Sequence, residues 1–121
     1  MQNTDIILGD LDYSRLITMP LSDELRAELD RAIVVPMNSI SHEIVTLFAH
    51  VRYRDEATQQ CRGVEIVPPE DADAARGRVS VLAPVGAALI GLCVGQSIAW
   101  PFPDGSLRHL TVLEVSPATA P

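Results

Sequence analysis

Apolar residues in the first forty positions recur with the three- to four-residue spacing of a helix face. The positions are Leu25, Leu29, Ala32 and Ile33. This spacing places them on one side of an amphipathic helix. Ser22 or Asp23 is suited to begin that helix as its N-cap. A helix that starts at one of these two polar residues is therefore predicted.

A second short helix is predicted directly before it. Its apolar positions are Leu11, Leu16 and Met19. Asp10 or Asp12 can cap its start, and Pro20 ends it because proline has no backbone N–H to donate. The link over residues 18–22 is short enough to turn the two helices antiparallel. Residues 1–40 are therefore predicted to form a helical hairpin.

After residue 40 the pattern changes to an alternation of apolar and polar side chains. The apolar positions are Val45, Leu47, Ala49, Val51 and Tyr53. Alternation of this kind predicts a half-buried strand over residues 44–54. Further strands are predicted at 62–67, 78–82, 96–100 and 107–115, with a frayed tail at 116–121.

One short helix is predicted between two of these strands. Pro84 suits its first turn, because the N–H that proline lacks would be unpaired there in any case. Gly91 suits a left-handed residue that closes the helix. The whole pattern predicts an α+β fold, in which residues 41–121 form a mostly antiparallel sheet with one short helix packed on a face.

Composition narrows the classes of partner. The formal net charge is −7 and hydrophobic residues make up 47% of the chain. A surface this acidic repels phosphates, so little direct nucleic-acid binding is expected and a basic patch on a protein is the better partner. No apolar run approaches the roughly 18 residues of a membrane span. The start of the chain lacks the pattern of a signal peptide, which predicts a cytoplasmic protein.

The candidate chemical groups do not combine into a catalytic or metal-binding motif. His42, His50 and His109 lack the spacing of metal ligands, both to one another and to Cys61 and Cys93. Both cysteines are expected to be reduced, and Cys93 is expected in the core. No phosphate-binding loop or nucleophile elbow is present. The sequence therefore predicts a protein that is not an enzyme, with no catalytic residue, metal or cofactor.

Two acidic residues at the start of the second predicted helix have two interpretations. Asp23 and Glu24 can simply be first-turn acids, which are favourable near the positive end of a helix. They also lie at the tip of the predicted hairpin, where paired carboxylates could engage a metal ion or a basic partner.

Four segments resemble a known family. The longest is Val79-Ser80-Val81-Leu82-Ala83-Pro84-Val85-Gly86-Ala87-Ala88-Leu89-Ile90-Gly91-Leu92, and the others lie at residues 5–12, 25–32 and 42–46. They resemble the regulators of nucleoside diphosphate kinase over nearly the whole chain, and the C-terminal domain of Gre-type transcription factors. The resemblance implies a short helical hairpin, a stunted coiled coil, before a domain like the FK506-binding prolyl isomerases. The chain departs from the family at Leu47-Phe48-Ala49 and in a short link between the helices.

The resemblance also implies a function. Gre-type factors dock on RNA polymerase at the secondary channel and reach its active centre with a long coiled coil. By analogy, the docking residues here are Ala83, Pro84, Val85 and Gly86, which also form a simple strand-to-helix turn. Helices of roughly ten residues reach only about 15 Å. The expected protein therefore competes with Gre factors without causing transcript cleavage.

Two other functions remain open from the sequence. The family name suggests a direct modulator of nucleoside diphosphate kinase. The FK506-binding likeness suggests a prolyl isomerase, although fold alone does not carry function. An isomerase pocket of that type is lined with aromatic side chains, and these make up only 4% of this chain.

Overall fold

The computed structural model describes residues 5–117 and has the expected α+β architecture. The elements are β1 (Ile7–Gly9), α1 (Asp10–Leu16), α2 (Asp23–Arg31), β2 (Ile33–Val35), β3 (His50–Asp55), β4 (Gln60–Val67), β5 (Arg78–Ser80), α3 (Pro84–Leu89), β6 (Ser97–Pro101) and β7 (Leu107–Ser116). Short 3-10 helices lie at Met37–Ser39, Pro69–Asp71 and Ala74–Arg76. Residues 118–121 of the predicted tail lie outside the described residues.

Five strands form one sheet in the order β5-β4-β3-β7-β6. Neighbouring strands are antiparallel except β4 and β5, which are parallel. A register shift between Arg52 and Tyr53 interrupts the pairing of β3 with β7. The predicted strands after residue 60 are confirmed, and β5 and β6 form the two edges of the sheet.

The strand predicted from residue 44 begins only at His50. The predicted burial is correct, since Val45, Leu47 and Ala49 are all buried. The backbone is irregular, however, because Phe48 adopts a left-handed conformation with φ of 71°. Ile44 and Thr46 are buried as well, so this segment is enclosed on both faces and is not the half-buried strand that was predicted.

Both predicted helices of the N-terminal segment are present, but only α2 begins with the predicted cap. The Ser22 hydroxyl caps α2 by accepting the Leu25 N–H at 3.2 Å, as predicted. The prediction that Asp10 or Asp12 caps α1 is wrong, because Gly9 occupies the cap position. The two carboxylates lie in the first turn and instead accept backbone N–H groups from distant segments.

A pair of short strands flanks these helices and was not predicted. β1 and β2 pair in parallel, so the chain passes through both helices between the two strands. Leu11 and Ile33 were predicted on apolar helix faces, but they are 64% and 51% exposed. Ile33 lies in β2 because α2 ends at Arg31.

One hydrophobic core joins the two segments. The N-terminal contributions are Ile6, Leu8, Leu16, Leu25 and Leu29, and they cluster with Leu89, Ile90, Trp100 and other residues of the sheet and α3. The helices therefore lie against the sheet and α3. Within residues 5–117, no helix combines the length and the apolar character that crossing a membrane requires.

Candidate docking site

The strand-to-helix turn before α3 is fixed by local hydrogen bonds. The Ser80 hydroxyl accepts the Leu82 N–H at 3.0 Å, and the Ser80 carbonyl accepts the Ala83 N–H at 3.0 Å. Ala83 is extended, and Pro84 begins the helix, as predicted. Ala83, Pro84 and Val85 are half-buried, so each keeps some surface that a partner could touch.

Gly86 differs from the other three predicted docking residues because it is buried. A Cβ atom there would lie 2.2 Å from the Ser80 carbonyl oxygen and 2.9 Å from Val81 Cα. These are backbone atoms that cannot move aside cheaply. Gly86 therefore lets α3 pack closely on the end of β5, which positions the half-buried residues before it.

Gly91 closes the helix region, as predicted. Its φ is 82°, and a Cβ atom would lie 2.7 Å from Ile6 Cβ. Its carbonyl accepts the Ile7 N–H at 3.0 Å. One glycine thus satisfies both the turn after α3 and the close approach of β1, which links the N-terminal segment to the helix that carries Pro84.

A groove of about 340 Å³ opens beside Pro84. Its lining residues are Ser22, Glu24, Leu82, Pro84, Ala87, Trp100, Pro101, Phe102 and Pro103. This surface, the Pro84 groove, brings one predicted tip residue, Glu24, together with one predicted docking residue, Pro84. Asp23 is exposed and is not part of the lining.

Val85 lines a separate depression. Tyr53, Arg62, Phe102 and Arg108 also contribute to it. The Arg108 guanidinium lies 4.6 Å from the centre of the Phe102 ring, and burial raises the pKa of the Tyr53 hydroxyl. Phe102 lines both depressions, so the turn presents Pro84 and Val85 to two adjoining surfaces.

Trp100 and Phe102 were not predicted as site residues. A signal was present, because they belong to the run Trp100-Pro101-Phe102-Pro103 and are two of only five aromatic residues in the chain. The strand β6 and the turn after it carry this run to the Pro84 groove.

The turn between α1 and α2 packs against the body of the protein. Met19 and Leu21 contact the hydrophobic core, and Glu24 lies at the Pro84 groove. Asp23 and Glu24 are both exposed in the first turn of α2, as the helix-dipole interpretation requires. Within residues 5–117, no cluster of three or more His, Cys, Asp or Glu side chains is placed to hold a metal ion.

The remaining candidate groups are dispersed. His50 lies 3.7 Å from Glu65 at the sheet surface. Both cysteines are free thiols, and Cys61 is exposed. The prediction that Cys93 lies in the core is wrong, because it is only half-buried next to Gln96, whose side-chain oxygen accepts the Cys93 N–H at 2.8 Å.

Comparison with known proteins shows the family to which this chain belongs. The sequence model described as transcription elongation factor GreA/GreB, C-terminal, matches residues 40–117. The chain belongs to the GreA/GreB C-terminal family. The matched region contains the Pro84 turn, α3 and the whole five-stranded sheet.

Two curated relatives align with this chain over different shares of their own length. The regulator of nucleoside diphosphate kinase from Escherichia coli K12 is 38% identical over 124 residues, which cover 95% of this chain and 91% of the relative. The transcription elongation factor GreA of Azorhizobium caulinodans is 38% identical over 92 residues. That alignment covers 76% of this chain and 58% of GreA. Both relatives are named as regulators or transcription factors.

Solved structures agree with the fold. A transcription elongation factor GreA/GreB from Nitrosomonas europaea superposes with a TM-score of 0.73 at 36% identity, covering 95% of this chain and 100% of that one. The GreA factor homologue Gfh1 of Thermus thermophilus, at 21% identity and a TM-score of 0.52, shares the fold. The chain is thus a Gre-like regulator by sequence and by structure.

Proposed function

We propose that this protein is a cytoplasmic transcription regulator that binds RNA polymerase at the rim of its secondary channel. In this proposal residues 41–121 dock and residues 1–40 form a short hairpin beside them. The observation that carries it is the GreA/GreB match over residues 40–117, which includes the partly exposed Pro84 turn.

The four docking residues have different roles in this proposal. Ala83, Pro84 and Val85 contact the polymerase directly, since each keeps surface outside the core. Gly86 is a positioning residue, because its close approach to Ser80 holds the start of α3 in place. Trp100 and Phe102 supply an apolar wall next to Pro84. Proline fixes the turn before binding, so less conformational entropy is lost on association.

Charge supports a basic surface as the partner. Asp23 and Glu24 are exposed at or beside the Pro84 groove, and the formal net charge of the chain is −7. Complementary charge speeds encounter and fixes orientation. The polymerase surface that receives the groove is therefore expected to carry arginine or lysine near its apolar contact.

The hairpin is short in this proposal and acts by occupying space. Its helices have seven and nine residues. At 1.5 Å per residue they are about 10 and 14 Å long. The bound protein excludes longer Gre factors from the channel rim without delivering Asp23 and Glu24 to the reaction centre.

A second candidate function is direct modulation of nucleoside diphosphate kinase. It is favoured by the printed name of the Escherichia coli relative, which aligns with 95% of this chain. In this alternative the Pro84 groove receives the kinase.

Displacement of a labelled GreA from core RNA polymerase tests the proposal. We expect the protein to displace GreA and the Pro84→Ala variant to require about tenfold more protein. Alanine is a good helix former, so this variant should change the free energy of unfolding by about 1 kcal/mol or less.

Pro69→Ala is the matched control, because Pro69 is an exposed proline that begins a 3-10 helix away from the groove. The control should displace GreA as the unsubstituted protein does. Failure of folded protein to displace GreA at saturation would reject the proposal. Binding of immobilised nucleoside diphosphate kinase in the same preparation would then select the alternative.

A further inference from the structure

A second groove runs between α2 and the edge strand β6. It encloses about 380 Å³. Its lining residues are Glu24, Ala27, Glu28, Leu92, Ser97, Ile98, Ala99, Trp100, Pro101 and Leu107. We call this surface the α2–β6 groove. It shares Glu24, Trp100 and Pro101 with the Pro84 groove and extends along the whole of β6.

The backbone of β6 is paired on one side only. β7 is its single neighbour in the sheet order. In antiparallel pairs, residues that exchange hydrogen bonds alternate with residues that do not. The Phe102 N–H donates to the Ser106 carbonyl at the end of the hairpin that joins β6 to β7. By the register of this pair, the backbone N–H and C=O groups of the even-numbered residues of β6 point towards β7. The N–H and C=O groups of Ser97 and Ala99 therefore point away from β7.

Two features agree with this direction. Pro101 has no N–H, and proline in a sheet is confined to positions where that group would face away from the ladder. Ser97 and Thr111 are directly opposed and their hydroxyl oxygens lie 2.7 Å apart, as in a close, non-hydrogen-bonded pair. Among the hydrogen bonds of residues 5–117, none joins the Ser97 or Ala99 backbone to a segment outside the β6–β7 pair.

The side chains of the groove combine an apolar floor with acidic charge. Leu92 and Ile98 form part of the floor, and Leu107 at its mouth is 60% exposed. The charged lining residues are both acids, Glu24 and Glu28. Glu28 is paired with Arg31, whereas the Glu24 carboxylate is exposed and has no ion-pair partner within residues 5–117.

We propose that the α2–β6 groove binds an extended segment of a partner protein that carries arginine or lysine among apolar residues. The segment adds to the sheet as a further strand and hydrogen-bonds to the backbone of Ser97 and Ala99. The apolar side chains of the segment cover the floor of the groove, together with the aliphatic parts of its arginine or lysine side chains. The charged end of one of these cationic side chains reaches Glu24.

Charge selects this occupant over a second copy of the chain. Two copies joined through β6 would bring the same two acids, Glu24 and Glu28, towards each other at the interface. Like charges across an interface suppress association. The proposal does not depend on polymerase docking, since the test below contains no polymerase.

The probe is a fluorescein-labelled heptapeptide of alternating valine and arginine, blocked at both ends. Fluorescence polarisation should give a saturable titration, and the Ser97 and Ala99 amides should exchange hydrogen more slowly in the complex. Ala99→Pro removes an outward N–H without touching the β7 ladder, so it should weaken binding about tenfold or more. Ala99→Val keeps the N–H and should bind normally.

Two further controls separate strand addition from attraction by charge. The same peptide with every internal amide N-methylated keeps its charge but should lose binding. Glu24→Gln should weaken binding about two- to fivefold, and Glu114→Gln, an exposed acid outside the groove, should leave it unchanged.

The proposal is overturned if the titration does not saturate, or if the Ala99→Pro variant and the methylated peptide bind as well as their parents. Equal binding of a valine–glutamate heptapeptide also overturns it. So does a dimer in sedimentation that Ala99→Pro abolishes, which would assign the edge to a second copy. Should Ala99→Pro fail to fold in a thermal melt, hydrogen exchange at Ser97 and Ala99 in the unsubstituted protein decides.

Discussion

At the scale of single residues, Asp12 connects the N-terminal segment to the family domain. Its side chain is buried, at 5% exposure, and one carboxylate oxygen accepts the Leu47 N–H at 3.0 Å. Burial raises the pKa of the Asp12 carboxyl, although the Leu47 hydrogen bond and the nearby Arg15 charge act in the opposite direction. The Asp12 carboxylate thus supplies the acceptor for a backbone N–H in an irregular segment. Its own negative charge is buried when it is ionised.

This balance predicts effects of different size for two substitutions. Asp12→Ala leaves the Leu47 N–H without its acceptor and should lower the free energy of unfolding by about 1–3 kcal/mol. Asp12→Asn keeps an oxygen acceptor and removes the buried charge, so it should change stability by about 1 kcal/mol or less at pH 7. Urea unfolding of the two variants measures both changes.

The sign of the pH dependence follows from the raised pKa. Stability contributed by protonated Asp12 is fully present below the unfolded pKa of about 3.9 and is lost as pH rises through the higher folded pKa. Asp12→Asn cannot titrate, so it should gain stability relative to the unsubstituted protein between pH 4 and pH 7. A relative loss over that range would show that the ionised carboxylate is the favoured form.

Residues with purely local roles were predicted correctly. Pro84 and Gly91 are examples, because the first turn of a helix and a left-handed residue after it depend on a few neighbouring residues. Asp12 was assigned to the wrong role, since its partner Leu47 lies 35 positions away. Nothing in the spacing of a single sequence reports such a pairing.

At the scale of elements, the pattern of side chains reports burial better than backbone conformation. Val45, Leu47 and Ala49 are buried as predicted, yet Phe48 turns the chain, and the Arg15 guanidinium lies 5.7 Å from the centre of its ring. β1 and β2 were missed because three residues are too few to show a period, and their parallel pairing joins distant parts of the chain. The Pro84 groove was missed for the same reason, since it combines α2, α3 and β6.

The two N-terminal helices lead to a prediction about transcript cleavage. They are seven and nine residues long, and the turn between them packs on the core. Neither acid at the start of α2 can therefore extend far from the Pro84 groove. Adding the protein to backtracked polymerase complexes should leave the cleavage rate at its intrinsic value, as measured on labelled transcripts.

A Gre factor that cleaves in the same assay is the positive control. The double variant Asp23→Ala with Glu24→Ala should behave like the unsubstituted protein. Cleavage that rises above the intrinsic rate, and that this double variant abolishes, would show that the hairpin reaches the active centre.

At the scale of the whole molecule, the positive charges are few and largely compensated. Nine cationic side chains face sixteen acidic ones. Six of the nine make ion pairs within residues 5–117, namely Arg15, Arg31, Arg54, Arg76, Arg78 and Arg108. The acidic balance was fully visible in the sequence, whereas the pairing of the arginines required the fold.

This charge distribution predicts that contact with transcription complexes is made through protein. Binding to nucleic acid requires cations that replace the counterions of the phosphates, and affinity then falls steeply with salt. With six of its nine cations paired and its net charge at −7, the protein should not raise the anisotropy of labelled DNA or RNA oligonucleotides, even at low salt. Binding to core polymerase should persist in the same buffer and weaken as salt rises, because opposite charges at the rim of a protein interface are screened.

The exposed Glu24, at the edge of the Pro84 groove, supplies the control, since Glu24→Gln should reduce that salt dependence without creating affinity for the oligonucleotides. Saturable oligonucleotide binding that weakens with salt would instead identify a basic face. Arg52 on β3, which makes no ion pair within residues 5–117, would be the first residue to substitute.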